Sequence, residues 1–414
     1  MGRPPSRAVA RRQTRLTAAR PSGFNGGRIR AAMFHSFLSD GEKFYSWGQP
    51  LGASLRHVQK LRPEPDVPFY AGETIKPDDS VLLLTGTFKV ALGDSIWLIS
   101  FVRDWYRWRA QRRGQVRVGV SEISQPLYRA FLPQAIELCL QNVPEKEFLA
   151  TTYKLPGLQF PLDRGGGIKS WAMNRSMVSW LYQSCGMVFD GLPDWGEFAP
   201  PAVLDPPKAF FRRIGVPSEP FIFFQANSTS RTRTLSPASR LKLMQHLLAH
   251  YGRPVYLVDT EEHNAELAKL PGVRTFFGKL SALDVFTLGA QAELIVSPDT
   301  LGIHLGEAFR RPAVGILGPT PPQHMAWGYR VPAFIYGSGF CANRPCGHTS
   351  FLPRKTKCPT RDLEFCAVTE DIDLALFDRA VERTRENLAR AHWTPPRPPL
   401  SLREEPAVMH PFGA

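Results

Sequence analysis

The residues with the clearest chemical content lie together in Ser297-Pro298-Asp299-Thr300-Leu301-Gly302-Ile303-His304. An apolar run over 293–296 precedes them and reads as a buried strand. Polar residues and a proline break that strand, and a helix begins at Thr300. A second buried strand, Ala313 to Leu317, ends in the same manner in Gly318-Pro319-Thr320. Two parallel strands ending in polar and Gly/Pro loops set those loops side by side at the carboxyl edge of a sheet, where open α/β sheets bind ligands. A helix start there turns unpaired N–H groups and a positive dipole end toward an anion. Such a place suits a phosphate joined to a hydroxyl-rich group, as in a nucleotide sugar. Asp299, Thr300 and Gly302 would form one lip of it and Thr320 the other. A plain helix cap is compatible with the same Asp299 and Thr300. His304 falls one turn beyond Thr300, either facing the cleft or satisfied in the core.

Other groups carry chemistry of their own. Asp94 follows Gly93 at the mouth of the first strand–helix loop, where a carboxylate serves as a general base or as a helix cap. Arg231 and Arg233 lie in the loop after a strand at 221–225. Their guanidinium forks suit phosphate oxygens; a solvated basic loop is the alternative. Asn227, Ser228 and Thr229 add hydrogen-bonding groups to that loop. Glu261 and Glu262 follow a strand at 255–258, where acidic residues hold ribose hydroxyls in other Rossmann sites or complement a helix dipole. Cys341, Cys346, Cys358 and Cys366 fall within 26 residues. Four thiolates could hold a structural zinc or iron, with no open position for catalysis. The spacings do not form paired CxxC knuckles, so loop cysteines without metal are the other reading. No Ser/His/Asp triad, Walker phosphate loop or His-Glu-x-x-His motif occurs.

The elements that must position these groups alternate as in α/β proteins. A strand at 81–85 leads through a glycine-punctuated loop into a helix at 94–112, whose apolar Ile96, Trp97, Ile99, Phe101, Val102 and Trp105 share one side. A strand at 116–120 follows, then helices near 126–142 and 170–184. The Pro-rich stretch 193–217 reads as an interdomain linker. The second half restarts with the strand at 221–225. Ser236-Pro237 reads as an N-cap with proline at the first helical position, opening a helix to Tyr251. Strands at 255–258, 274–277 and 294–296 alternate with helices at 261–269 and 282–290. A charged helix spans 372–390. The expected architecture is α/β: two Rossmann-like halves around a central cleft.

Composition bounds the rest. With 43% hydrophobic and 21% charged residues in 414, the chain has material for two domains with real cores. No stretch approaches the roughly 18 uninterrupted apolar residues of a membrane helix. The net charge of +14 invites a nucleic-acid reading, but eight of those charges are arginines in residues 1–38, which hold no acid. The remaining +6 is modest for so large a body, and no nucleic-acid partner is expected. The 1–38 segment reads as a disordered tail. It resembles an Arg-rich organellar transit peptide, and a start at Met33 is a third reading. Residues 39–77 form a lead-in, 78–212 the first domain, 213–392 the second with its Cys-rich loop at 341–366, and 393–414 a Pro-rich tail. Without a secretory signal, reduced cysteines are the default. Cys139 and Cys185 read as core residues in helical surroundings.

The second half resembles glycosyltransferase family 9, the ADP-heptose:lipopolysaccharide heptosyltransferases and their relatives. The resemblance rests on Gly278-Lys279-Leu280-Ser281, on Asp299-Thr300-x-Gly302-x-His304, and on Gly318-Pro319-Thr320 followed by Trp327-Gly328. Gly93-Asp94 looks like that family's first-loop Gly-Asp. The match spans roughly 80–385 in order. It implies the GT-B architecture, a nucleotide-sugar donor, inversion at the anomeric carbon, and no metal in the chemistry. Asp94 would be the base, Arg231 and Arg233 would neutralise the departing diphosphate, and Asp299 and Thr300 would bind sugar hydroxyls and diphosphate. Two departures stand out. Arg233 takes the place of the family's usual lysine, and Leu301 intrudes into the more common Asp-Thr-Gly.

These implications lead to a glycosyltransferase moving a heptose-like sugar to a glycan, lipopolysaccharide or protein. It would be cytoplasmic, touching the inner membrane peripherally through basic residues. A nucleotide-sugar epimerase and a non-catalytic sugar- or nucleic-acid-binding scaffold are the competing expectations.

Overall fold

The computed structural model describes residues 74–84, 92–111, 113–122, 124–140, 153–155, 177–228, 231–259, 264–336 and 365–390. Two sheets, both wholly parallel, organise them. The first has the order β3-β2-β1-β4, from β1 (Ser80–Leu84), β2 (Gln115–Val120), β3 (Ile136–Leu140) and β4 (Tyr153–Leu155). The second has the order β10-β9-β8-β5-β6-β7. Its strands are β5 (Ile222–Phe224), β6 (Val255–Leu257), β7 (Val273–Thr275), β8 (Leu294–Pro298), β9 (Ala313–Ile316) and β10 (Ala333–Ile335). Parallel strands need helical crossovers that cover both faces, so they read as short, continuously apolar runs. Ile222-Phe223-Phe224 and Leu294-Ile295-Val296 are such runs, buried throughout.

Each sheet reverses its strand order once, between β1 and β4 in the first and between β5 and β8 in the second. Crevices at the carboxyl ends of such switch points are where doubly wound sheets take ligands. The helix after β1 is α1 (Leu92–Trp108) and the helix after β8 is α8 (Leu301–Ala308). Between them in sequence come α2 (Gln125–Phe131), α3 (Met177–Ser184), α4 (Pro201–Leu204), α5 (Lys208–Arg213), α6 (Pro237–Tyr251) and α7 (Ala282–Gln291). Helices α9 (Pro322–Met325), α10 (Ala367–Glu370) and α11 (Leu374–Arg390) complete the set.

Three expectations need correction. The region near 126–142 is not one helix. It is α2, a break at Pro133, and then strand β3, because Ile136 and Leu138 alternate with Glu137 and pair with Val116 and Val118 of β2. Cys139 accordingly sits half-buried on that strand and not in a helical core, whereas Cys185 is buried just beyond α3. The stretch 193–217 is no linker. Its prolines start α4 and precede α5, and Trp195 is wholly buried there among Phe131, Phe286 and Phe309. The anticipated helix at 261–269 contains only a short 3-10 turn, Leu267–Lys269, among its described residues.

Trp195 and its neighbours belong to one continuous core that crosses between the sheets. Helix α1 packs on α8, and α2 on α7. A Ser236 N-cap accepting from the Ser239 N–H, with Pro237 behind it, starts α6 as its sequence predicts. No helix among the described residues is long and apolar enough to cross a membrane.

Candidate functional site

The second switch point gathers most of the predicted residues. After β5 the chain passes Gln225, Ala226, Asn227 and Ser228. After β8 it passes Asp299 and Thr300. The 3-10 turn Arg231–Arg233 continues the loop after β5 and brings Arg233 to Asp299. Arg233 Nη1 stands 3.6 Å from Asp299 Oδ2 and 3.5 Å from the Asp299 carbonyl oxygen, to which Ser228 Oγ donates at 3.1 Å. Gly318, at the end of β9, lets this turn approach: a Cβ there would lie 2.5 Å from the Thr232 carbonyl oxygen. Thr320 is buried just beyond it.

Two polar side chains in this crevice are left wanting. Asn227 is buried, yet neither its amide nitrogen nor its amide oxygen has a hydrogen-bond partner, and Asp299 Oδ2 is likewise without a hydrogen bond. A buried amide left without partners costs about 1–3 kcal/mol, so a ligand that pairs Asn227 recovers that cost on binding, while Asp299 Oδ2 keeps its longer ion pair to Arg233. Arg231 is half-buried, its guanidinium 5.8 Å from the centre of the Phe365 ring.

The loops are held by residues that sequence reasoning missed. Asp259, at the end of β6, accepts from the backbone N–H groups of Ala226 and Asn227 at 2.9 and 2.8 Å. Its signal was an acid directly after a buried strand, read instead at Glu261 and Glu262. Gln225 caps α8: its Oε1 accepts from the Gly302 N–H at 3.0 Å. Thr300 occupies the N-cap position but makes no side-chain cap bond. Gly302 therefore offers its N–H inward to Gln225, and its missing side chain admits Ser297, whose Cβ would be 2.7 Å away. Gly302 thus packs α8 onto β8 at the edge of the crevice.

Asp94 reaches this crevice from the other sheet, in the first turn of α1. Burial pushes its carboxyl up to about 6, Arg233 pulls it back, and the charge of Asp299 pushes it further up. All three groups thus sense one another across the seam between the domains. A carboxylate with this affinity for protons is ionised at neutral pH and still a competent proton acceptor. Gly93 makes the approach possible, since a Cβ there would lie 2.8 Å from His304 Cδ2. His304 is buried with its acidity set by desolvation, which holds its imidazole down at about 4, while Asp299 acts in the opposite direction. Its Nδ1 lies 2.6 Å from the Tyr329 hydroxyl.

Thr229, Glu261, Glu262, Cys341, Cys346 and Cys358 lie outside the described residues. Cys366 is buried at the start of α10. From there the chain is stapled to the start of α6: the Ser236 N–H donates to the Thr369 carbonyl oxygen at 2.9 Å and Ser236 Oγ to that of Glu370 at 2.6 Å.

Residues 203–349 match the family model for glycosyltransferase family 9 (heptosyltransferase). No curated protein sequence matches the chain. Among solved structures, the iron-containing dodecameric glycosyltransferase TibC from enterotoxigenic E. coli aligns with a TM-score of 0.55 at 17% identity, over 76% of this chain and 78% of that one. The E. coli ADP-heptose lps heptosyltransferase II aligns with a TM-score of 0.50 at 16% identity, over 75% and 98%. A family 9 glycosyltransferase from Veillonella parvula gives 0.50 at 13% identity, over 77% and 99%. At such identities the likeness speaks for the fold, the two-domain GT-B arrangement of parallel sheets. The crevice at the β5/β8 switch point lies within residues 203–349, the segment that is similar to glycosyltransferase family 9.

Proposed function

We propose that the protein is an inverting glycosyltransferase that moves a heptose-like sugar from an ADP-heptose-type donor to a hydroxyl of a glycan, lipopolysaccharide or protein acceptor. The observation that carries this reading is the meeting of Asp94, Arg233 and Asp299 from two facing domains. The donor would occupy the crevice between the β5 and β8 loops. Asp94 takes the proton of the acceptor hydroxyl as its oxygen bonds the anomeric carbon. The bond from that carbon to the diphosphate oxygen breaks on the opposite face, its electron pair leaves with the nucleoside diphosphate, and the anomeric configuration inverts. Arg233 and Arg231 offset the charge that develops on the leaving group, the kind of electrostatic contribution that is often the largest in catalysis. Asn227, Ser228, Thr229, Asp299, Thr300 and Thr320 would orient diphosphate and sugar, and Glu261 or Glu262 the ribose. One similar structure is described as holding ADP-D-beta-D-heptose and another as an ADP-heptose transferase, which makes that donor the first to try.

The test is to incubate the full chain with ADP-heptose and candidate acceptors, following nucleotide release and the anomeric configuration of the product by NMR. Acceptor-dependent release with inverted configuration supports the reading. Retention, or isomerisation of the sugar without an acceptor, overturns it.

We extend the proposal to a structural zinc or iron on Cys341, Cys346, Cys358 and Cys366. Four thiolates suit either metal, and one similar protein is described as iron-containing. Cys366 adjoins Phe365, which lies against Arg231, so the site would brace the donor loop. Stoichiometric metal in the purified chain, lost on replacing Cys366, supports this; metal-free protein with full stability removes it.

A further inference from the structure

Helices α1 and α8 meet at more than their first turns. Asp94 lies in the first turn of α1 and Trp97 three residues on; Thr300 immediately precedes α8 and His304 follows one turn later. Between the two second turns stands Tyr329. Trp97 Nε1–H donates to the Tyr329 oxygen at 2.8 Å, and the same hydroxyl lies 2.6 Å from His304 Nδ1. The His304 ring meets both neighbours edge-on, its centroid 4.9 Å from that of Trp97 and 5.7 Å from that of Tyr329.

One arrangement of protons gives every group of this triad a partner within it. Indole N–H only donates, so the Tyr329 oxygen accepts from Trp97. The phenolic hydrogen then finds its acceptor within the triad when His304 Nδ1 accepts it. A neutral imidazole accepting at Nδ1 carries its proton on Nε2. Burial keeps both groups in these states, raising the tyrosine far above its usual range and lowering the imidazole. Nε2 lies beside Gly93, 3.3 Å from where a Cβ on that residue would be, next to Asp94.

We infer that Tyr329 is a positioning residue: it locks His304 as the Nε2–H tautomer and, through Trp97, holds the helix bearing Asp94 in register with the helix behind Asp299. The clamp joins residues 232 positions apart in sequence and sits one turn behind the two groups that must meet across the reacting sugar. The inference about the reaction rests on the transferase reading; the tautomer does not.

The deciding experiment is a long-range nitrogen–proton NMR correlation on the full chain carrying ¹⁵N-histidine at pH 7, with the His304 signals identified by their loss in His304→Gln. The expected result is a protonated Nε2 and an unprotonated Nδ1, a pattern that collapses toward mixed tautomers in Tyr329→Phe. Trp97→Phe, which keeps the tyrosine–histidine bond, preserves it. Protonated Nδ1 in the parent, or an unchanged pattern in Tyr329→Phe, overturns the assignment. In the transfer assay, Tyr329→Phe should lower kcat by about 30–100-fold, the scale expected for a small misplacement of reacting groups, with donor Kd held within about 3-fold. A kcat within about 3-fold of the parent means that the clamp does not position the reaction. If the parent shows no turnover with ADP-heptose, the transferase reading fails, while the tautomer still decides the clamp.

Discussion

Asp94 and Asp299 approach one another from opposite sheets, each beside the start of a helix, yet their surroundings differ in kind. Asp299 lies under a guanidinium 3.6 Å away, with Ser228 and Arg233 on its own carbonyl oxygen, in a crevice where neighbouring loops are pinned by Asp259 and Gln225. Asp94 stands in the first turn of a largely apolar helix and feels Arg233 only as a secondary influence, so desolvation dominates and its carboxyl rises to about 6. A paired carboxylate in a polar crevice suits holding a ligand, and a desolvated one suits taking a proton. Under the proposed function, the same side chain would serve two tasks according to its environment.

The contrast can be broken most sharply at Asp94. Asp94→Asn should cut turnover by about 10³-fold or more while leaving donor Kd nearly unchanged, if the proton acceptor is here. Its stability effect runs the other way. A carboxyl whose pKa rises on folding contributes stability below its unfolded value near 3.8, and that contribution is lost as pH climbs through about 6. At pH 8 the neutral asparagine should therefore be more stable by about 1–3 kcal/mol, read as a higher denaturation midpoint. The parent's kcat/KM should rise with pH through an acid limb near 6 and then level off.

Arg233→Ala comes next, with kcat down by about 10²–10³-fold for loss of leaving-group stabilisation. Unlike Asp94→Asn it should also weaken donor binding, because it strips the cation from Asp299. Asn227→Ala sharpens the comparison from the binding side. Its amide has no partner to lose, so stability should stay within about 1 kcal/mol, while donor affinity falls about 10-fold if the ligand pairs with it. Gly318→Ala should be milder for binding and should act through the Arg231–Arg233 turn, at a cost of about 1–3 kcal/mol of overpacking.

The strand β8, its Ser-Pro-Asp-Thr break and helix α8 were legible because a buried apolar run, a proline and an apolar helix follow in unbroken order. So was the Ser236-Pro237 helix start. The region after 125 was not, because α2 is seven residues long and its apolar residues run directly into those of β3. The 193–217 segment misled through its prolines, which here mark helix starts around a buried tryptophan. Within the site, the charged and hydroxyl residues could be named from type and place. Their supports could not: Gln225 caps a helix 77 residues away, and Trp97 finds Tyr329 across 232. Such partners share no local pattern, and only the folded chain brings them together.

The most direct test of the central claim is calorimetric titration of the full chain with ADP-heptose, beside UDP-, GDP- and dTDP-sugars, for the parent, Arg233→Ala and Asn227→Ala. Selective binding of one nucleotide sugar by the parent, weakened in both variants, is the predicted result. Folded parent protein that binds none of them, or binding that neither substitution weakens, would contradict a donor site at the β5/β8 switch point.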